Sequence, residues 1–377
     1  MQRLEKILNN WEKEFYQTNI THQETRFAES LDHITASLSH EAGISPDNPD
    51  IEGCYAVHEI ICGLEEDLPA DFYAYLCQQI ASRNEEIWQR LAIYWALDFS
   101  PLVRRGALEA LLTHAKNQTI SPYVTARLPV ILTWVPDEES GQLIENLLDL
   151  TGTGAAPSER TEADQGELPL HGNTVIDGTY ISLPDEFGAQ TLIILAHRDD
   201  EHLLSTVGLT TAYGFSQTVT LPGLSKAKRD DLFEHLQIDS PFGTIDLERT
   251  ITLLNAALAH QLEDDCPPPF SFLDLVTHNA LEQRITPQPI DSRQWLKILD
   301  PDDRLELLTP QKRGRLINRS ADWGEEFPVV DSWLEDTPLT HFIIEQSATP
   351  ARLDRELRRY LDVERRPWWA EQCFRAA

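Results

Sequence analysis

The chain lacks any apolar run near the roughly 18 residues that a membrane-spanning helix needs, so nothing in its 377 residues reads as a bilayer span. Its first stretch, MQRLEKILNNWEKEF, is amphipathic and acid-bearing, without the apolar core and small-residue cleavage site of a secretory leader. The expectation is a cytoplasmic protein. Cysteines are few: Cys54, Cys62, Cys77, Cys266 and Cys373, with no CxxC pair. That argues against a disulfide framework and a paired-thiolate metal knuckle. Cys54, Cys62 and Cys77 sit in apolar helical patterns and read as small buried hydrophobes. There is no GxSxG, no P-loop and no GxGxxG between a strand and a helix, so neither a nucleophile elbow nor a phosphate cradle is indicated. Bases are also scarce. With 31 Lys and Arg against 62 Asp and Glu, the net charge is −31. Such a chain repels phosphate, which speaks against nucleic acid and anionic membrane and favours a basic protein as partner.

What the chain does have is a repeat. Pro69, Pro101 and Pro136 are each followed by a leucine seven residues on (Leu76, Leu108, Leu143) and an apolar residue eleven on (Ile80, Leu112, Leu147). Proline suits the first turn of a helix, where its missing N–H has no partner anyway. Offsets of seven and eleven share one helical face. The spacing predicts helices over 51–65, 69–82, 84–97, 101–116, 121–135 and 137–150, stacked as helical hairpins that offer a binding surface. Ahead of them, Leu4, Ile7, Leu8, Trp11 and Phe15, then Phe27, Leu31, Ile34 and Leu38, give two further amphipathic helices. SPDNPD at 45–50 breaks the pattern.

The segment DFSPLVRRGALEALLTHA (98–115) resembles a HEAT repeat through Asp98, Pro101, Val103, Arg104, Ala107, Leu108, Leu111 and Leu112. Gly106 and Ala107 are small enough for a neighbouring helix to approach closely. The resemblance implies stacked helical pairs and contact with a protein partner, with Arg104 and Arg105 as candidate contacts.

Residues 152–172, GTGAAPSERTEADQGELPLHG, combine glycine, proline and carboxylates with few large apolar groups. They read as a flexible acidic linker. From 173 the pattern turns to β-branched runs, TVIDGTYISL, TLIILAH, HLLSTVGL and FSQTVTL. Helices follow at about 225–237, 246–262 and 350–364. The expected architecture is a HEAT-like α-helical domain (1–151), the linker, and an α+β domain with a small sheet (173–377), strand-rich to 222 and helical from 223.

The densest group of chemistry-bearing residues is AHRDDEH, 196–202. One reading of the residues is a β-hairpin with RDDE as its turn and His197 facing His202 across the strand pair. The segment is also similar to the AHPDDE motif of zinc de-N-acetylases of the LmbE/PIG-L type. That resemblance implies zinc held by His197 and Asp200, with Asp199 as general base. His278 is the one histidine downstream suited to a third ligand. Arg198 stands where that motif has proline.

The last helix is the one basic feature noticed in the sequence, with Arg352, Arg355 and Arg359 on one face and Trp368 and Trp369 beyond it. Arginine and tryptophan are favoured where proteins bind one another. Arg355, Arg359, Trp368 and Trp369 are therefore candidate partner contacts, or they dock on the chain's own acidic body. The leading expectation is a non-catalytic adaptor, scaffold or inhibitor of the immunity type, with no cofactor. The alternatives are a zinc-dependent amide or N-acetyl hydrolase centred on AHRDDEH, or a small-ligand-binding domain at 173–377.

Overall fold

The computed structural model describes residues 24–43, 51–65, 68–152, 174–185, 187–211, 214–239, 242–290, 292–300, 302, 304, 307–319, 338–346 and 349–376. The expected helix around Leu4–Phe15, the break at 45–50 and nearly all of the expected linker lie outside these residues. The chain divides into two compact units. One comprises Met1–His171 with Asp265–Asp274, the other Gly172–Asp264 with Leu275–Ala377.

The first unit is helical: α1 (Glu24–Ala42), α2 (Ile51–Cys62), α3 (Ala70–Ala81), α4 (Glu86–Trp95), α5 (Pro101–Lys116), α6 (Pro122–Ile131) and α7 (Glu138–Thr151). The proline-led helices α3, α5 and α7 pack in sequence, α3 on α5 and α5 on α7, while α4 packs on α6. These contacts set α3, α5 and α7 in one row and α4 with α6 in another. Leu76, Ile80, Leu108 and Leu147 are fully buried, whereas Leu112 and Leu143 are half-buried. Gly106 is where α5 meets α3: an added Cβ would lie 3.1 Å from the Cβ of Gln78. Trp88, Trp95 and Trp134 fill the interior.

Charge is used inside this unit as well. Arg104 is 2% exposed. Its guanidinium donates to Asp137 from Nε (3.0 Å) and Nη2 (2.7 Å), and from Nη1 to the carbonyls of Asp98 and Phe99. Asp137 is also the N-cap of α7, accepting from the Ser140 N–H. One side chain thus ties α5 to the start of α7 and satisfies the turn before α5. The expectation that Arg104 faces a partner is corrected: all its reach is spent within the fold. Arg105, its neighbour, is exposed and pairs with Glu109 (2.9 Å) and Glu139 (3.0 Å).

A second buried polar centre joins α2, α4 and α6. The carboxylate of Asp274, 1% exposed, accepts hydrogen bonds from Tyr94 (2.7 Å), Tyr55 (2.9 Å) and Tyr123 (3.3 Å). Phe270 packs against the rings of Tyr55, His58 and Tyr94, and Phe272 against Trp134. Burial pushes the His58 imidazole down to about 4. The guanidinium groups of Arg90 and Arg127 lie over the Tyr123 ring, at 4.3 and 3.5 Å from its centroid.

The second unit is α+β. Its sheet holds β1 (Val175–Ser182), β2 (Gln190–Arg198), β3 (Glu201–Thr210), β4 (Gly214–Leu224) and β5 (Phe242–Ile245), in the order β4-β3-β2-β1-β5, with every pairing antiparallel. β2 is buried along LIILA (192–196) on both faces, which is why it reads as a continuous apolar run rather than an alternation. α8 (Lys226–Asp239) covers one face, where Leu232, Phe233 and Leu236 pack on Ile193, Leu195, Leu204 and Leu224. Next come α9 (Leu247–Glu263), which packs on β4 and β1, and α10 (Phe270–His278). The remaining helices are α11 (Ser292–Leu299), α12 (Pro310–Arg319), α13 (Pro338–Gln346), α14 (Pro350–Tyr360) and α15 (Arg366–Ala376).

Two features depart from the sequence reading. β5 was not anticipated, because four residues with two exposed in the middle carry no readable alternation. The single last helix expected over 350–364 is two helices joined by a π-turn at Leu361–Arg365. Pro367 has no N–H to give to the carbonyl four residues before it, which the wider turn ahead of it accommodates. No described helix is long and apolar enough to cross a membrane.

Two predictions follow from the charges buried in the helical unit. Arg104→Ala leaves Asp137 without its partner and should cost about 2–4 kcal/mol in urea unfolding. Asp98 is pushed up to about 6, mainly by burial, against the hydrogen bond from the Ser100 N–H. Its ionised form is therefore disfavoured by folding, a penalty absent below pH 4 and complete above pH 6. Asp98→Asn keeps the acceptor, so it should stabilise the protein by on the order of 1 kcal/mol at pH 8 and by nothing near pH 4.

Candidate functional site

The hairpin of β2 and β3 is closed by two residues, Asp199 and Asp200, between the paired Arg198 and Glu201. Asp199 has φ 53°, a left-handed conformation that aspartate tolerates better than most residues. Both aspartates are exposed. His197 and His202 are directly paired across the strands, with ring centroids 5.7 Å apart and planes 40° apart.

Both flanking strands are irregular at this end. On β1 the register shifts between Ile176 and Gly178, leaving Asp177 as a bulge residue opposite β2. On β4 the partner of His202 is Leu224 while that of Leu204 is Leu221, and Gly223 within the shift has φ 68°. Bulges re-aim side chains and gather at functional ends of sheets. Here the first bulge brings the Asp177 carboxylate to His197, whose Nδ1 lies 2.8 Å from Oδ1. The other Asp177 oxygen accepts from Nη1 of Arg229, on the first turn of α8. Arg229 is 5% exposed and also pairs with Asp230 at 2.8 Å.

The electrostatics follow from these contacts. Burial alone would raise the Asp177 carboxyl, but the hydrogen bonds from Arg229 and His197 outweigh it and hold it below the usual carboxylate range. An ionised Asp177 accepts a proton-bearing Nδ1 and so sets the His197 tautomer. Nδ1 of His202 is shielded from solvent and has no hydrogen-bond partner.

The residues proposed as a zinc hydrolase centre are only partly brought together. His197 is held as described. Asp199 and Asp200 point from the turn into solvent. His278 ends α10, and its carbonyl accepts from Thr174. Among the described residues no group of three or more His, Cys, Asp and Glu side chains could hold a metal ion. A centre built from His197, Asp200 and His278 is therefore not assembled. The hairpin register explains why: it sends the two turn aspartates past the end of the sheet while His197 stays on the α8 face. Sequence reasoning missed Asp177 and Arg229. The available signal was Asp177-Gly178, a polar–glycine break in an otherwise β-branched strand.

The C-terminal candidates divide. Arg355 and Arg359 are exposed, and Arg355 pairs loosely with Glu356 at 3.5 Å. Trp368 and Trp369 stack edge to face at 4.7 Å, and Arg365 lies over Trp368. The indole N–H of Trp368 donates to Thr211 Oγ1, and Gln372, fully buried, reaches the same oxygen. Gly188 leaves the space for this: a Cβ there would come within 2.6 Å of Gln372 Nε2. So α15 docks on loops at one end of its own sheet. The basic character is wider than the last helix. α12, PQKRGRLINR, carries Lys312, Arg313, Arg315 and Arg319 without an acid, all exposed. It lies within the stretch expected to be helical from 223 on, without having been placed as a helix of its own.

Two family models match parts of the chain: Y4lR second domain over residues 69–149, and Y4lR C-terminal helical domain over residues 293–377. Neither describes a HEAT repeat or a zinc de-N-acetylase. The first covers the proline-led helices α3 to α7. A curated relative, the uncharacterized protein y4lR of Sinorhizobium fredii (strain NBRC 101917 / NGR234), is 23% identical over 344 residues, spanning 87% of this chain. The match takes in 64% of the relative's length. No solved structure matches the chain.

Asp177→Ala should leave the buried Arg229 with Asp230 alone and cost about 2 kcal/mol. Because the folded-state carboxyl lies below its ordinary value, the contribution of Asp177 is present above about pH 4 and lost as pH falls below it. The difference between wild type and Asp177→Ala in urea should therefore narrow between pH 6 and pH 3.

Proposed function

We propose that this is a non-catalytic protein-binding protein that holds a basic partner on the surface of its helical unit. The observation that carries this reading is how α3 to α7 use their charged groups. Arg104 and Asp137 are consumed inside the stack, and Arg90 and Arg127 lie over Tyr123. The exposed charged side chains of these helices are mainly acidic, Asp71, Glu86, Glu138, Glu139, Glu145 and Asp149 against Arg105 and Lys116, with Glu86 paired to Arg90 and Glu139 to Arg105. Phe99 and Leu102, 65% and 52% exposed at the start of α5, add apolar surface. A hydrophobic anchor with carboxylates around it suits a basic polypeptide, with charge speeding the encounter and apolar burial holding it.

The partner would be sought by co-purification at about 50 mM salt and its binding then followed by surface plasmon resonance. The expected result is an association rate that falls at least tenfold between about 50 and 300 mM salt. Phe99→Ser with Leu102→Ser should weaken binding at least tenfold. Binding indifferent to both salt and the double substitution would overturn the reading, as would retention of no partner at low salt.

A further inference from the structure

We propose that His197 and His202 form a two-imidazole site for a divalent transition-metal cation of the zinc or copper kind, with Asp177 as its outer carboxylate. This site goes beyond the protein-binding role, and it differs from a centre built on Asp200 and His278.

The geometry fits a shared cation. An imidazole nitrogen binds zinc at about 2.0–2.1 Å, and the ring centroid lies about 1.2 Å further, so each centroid stands roughly 3.2 Å from the metal. At ligand angles of about 110–125°, two such rings have centroids about 5.3–5.7 Å apart. The observed separation is 5.7 Å. Cross-strand pairing fixes both rings on one face of the hairpin, so the pair is organised before any ion arrives.

Each ring also has a nitrogen to give. His197 is anchored through Nδ1 to Asp177, which is how metal-bound histidines are commonly held: the carboxylate orients the ring and raises the basicity of Nε2. Arg229 locks that carboxylate from behind. His202 has a shielded Nδ1 with no hydrogen-bond partner, a costly state that ligation relieves. The surrounding field favours a cation, since six carboxylates (Asp177, Asp199, Asp200, Glu201, Asp230 and Asp231) stand against four bases (Arg198, Lys226, Lys228 and Arg229) at and beside the hairpin end. Arg198 is drawn towards Glu201, at 3.7 Å. Two protein ligands leave the remaining positions to water or to a donor from a bound molecule. Imidazole donors select zinc, copper or nickel over magnesium and calcium.

The test is titration of the full-length chain, freed of metal by chelator and dialysis, with zinc chloride in a non-coordinating buffer. Calorimetry is expected to show one equivalent bound with a dissociation constant in the micromolar range. Imidazole resonances of His197 and His202 should shift together in two-dimensional NMR. His197→Gln and His202→Gln should each weaken binding at least tenfold. Asp177→Asn should weaken it about tenfold. Asp200→Asn and His278→Gln should leave it unchanged. Circular dichroism and urea midpoints check that each variant folds, and the NMR shifts on the wild type stand even if one does not. The proposal is overturned if zinc binds more weakly than about 1 mM, if both His→Gln variants bind as the wild type does, or if Asp200→Asn or His278→Gln removes binding.

Discussion

A carboxylate taken out of water must find donors, and the burial of Asp274 organises the helical unit around that need. Three tyrosines meet it, one each from α2, α4 and α6. Their hydroxyls are held far from ionisation by burial and by the carboxylate they face, so they remain donors at every ordinary pH. Asp274 comes after the whole sheet in the chain, so residues 265–274 return to the first unit to supply this acceptor. Phe270 and Phe272 on the same short stretch add aromatic packing to the hydrogen bonds. The other row, α3, α5 and α7, is joined by Arg104 and Asp137 and by the close approach at Gly106. Polar contacts of this kind specify which helix lies next to which, a choice that apolar burial alone leaves loose.

The same economy of charge shapes the sheet end. A bulge in β1 turns Asp177 towards His197, and Arg229 from α8 neutralises it from the other side. That sequence of contacts runs from the helix, through the carboxylate, to the imidazole of His197. In the helical unit the buried ions are closed upon themselves. At the hairpin the chain of contacts ends instead in a partly exposed imidazole, that of His197, paired across the strands with His202.

Much of the architecture was legible beforehand because it rests on local rules. Helices α3, α5 and α7 follow from the apolar spacing of seven and eleven, with Pro101 in the first turn of α5, Pro69 at the N-cap of α3 and Pro136 just ahead of the Asp137 N-cap of α7. The four longer strands follow from β-branched runs bounded by turn residues, and the hairpin turn from Asp199-Asp200. The misses have common physical causes. Arg104 reads as a surface arginine because arginine is rarely buried, and only its partner on another helix reverses that. β5 is too short and too exposed to show a period. The π-turn depends on Pro367 being tolerated inside a helical run rather than ending it. α12 is helical in spite of lacking an apolar stripe, which is the signal by which helices are recognised.

By itself the sequence determined the classes of local structure, the acidic balance, and the pairing of His197 with His202, since a two-residue turn leaves no other register for that hairpin. Tertiary structure alone decided which charged groups meet their partners, whether an opposite charge or a neutral donor. Asp274 lies 219 residues from Tyr55, Asp177 lies 52 residues from Arg229, and Arg104 lies 33 from Asp137. Backbone geometry and hydrophobic period act over a few residues and are written in neighbouring letters. Neutralising a buried charge acts across space, and its partner is known only once the chain has folded to bring it there.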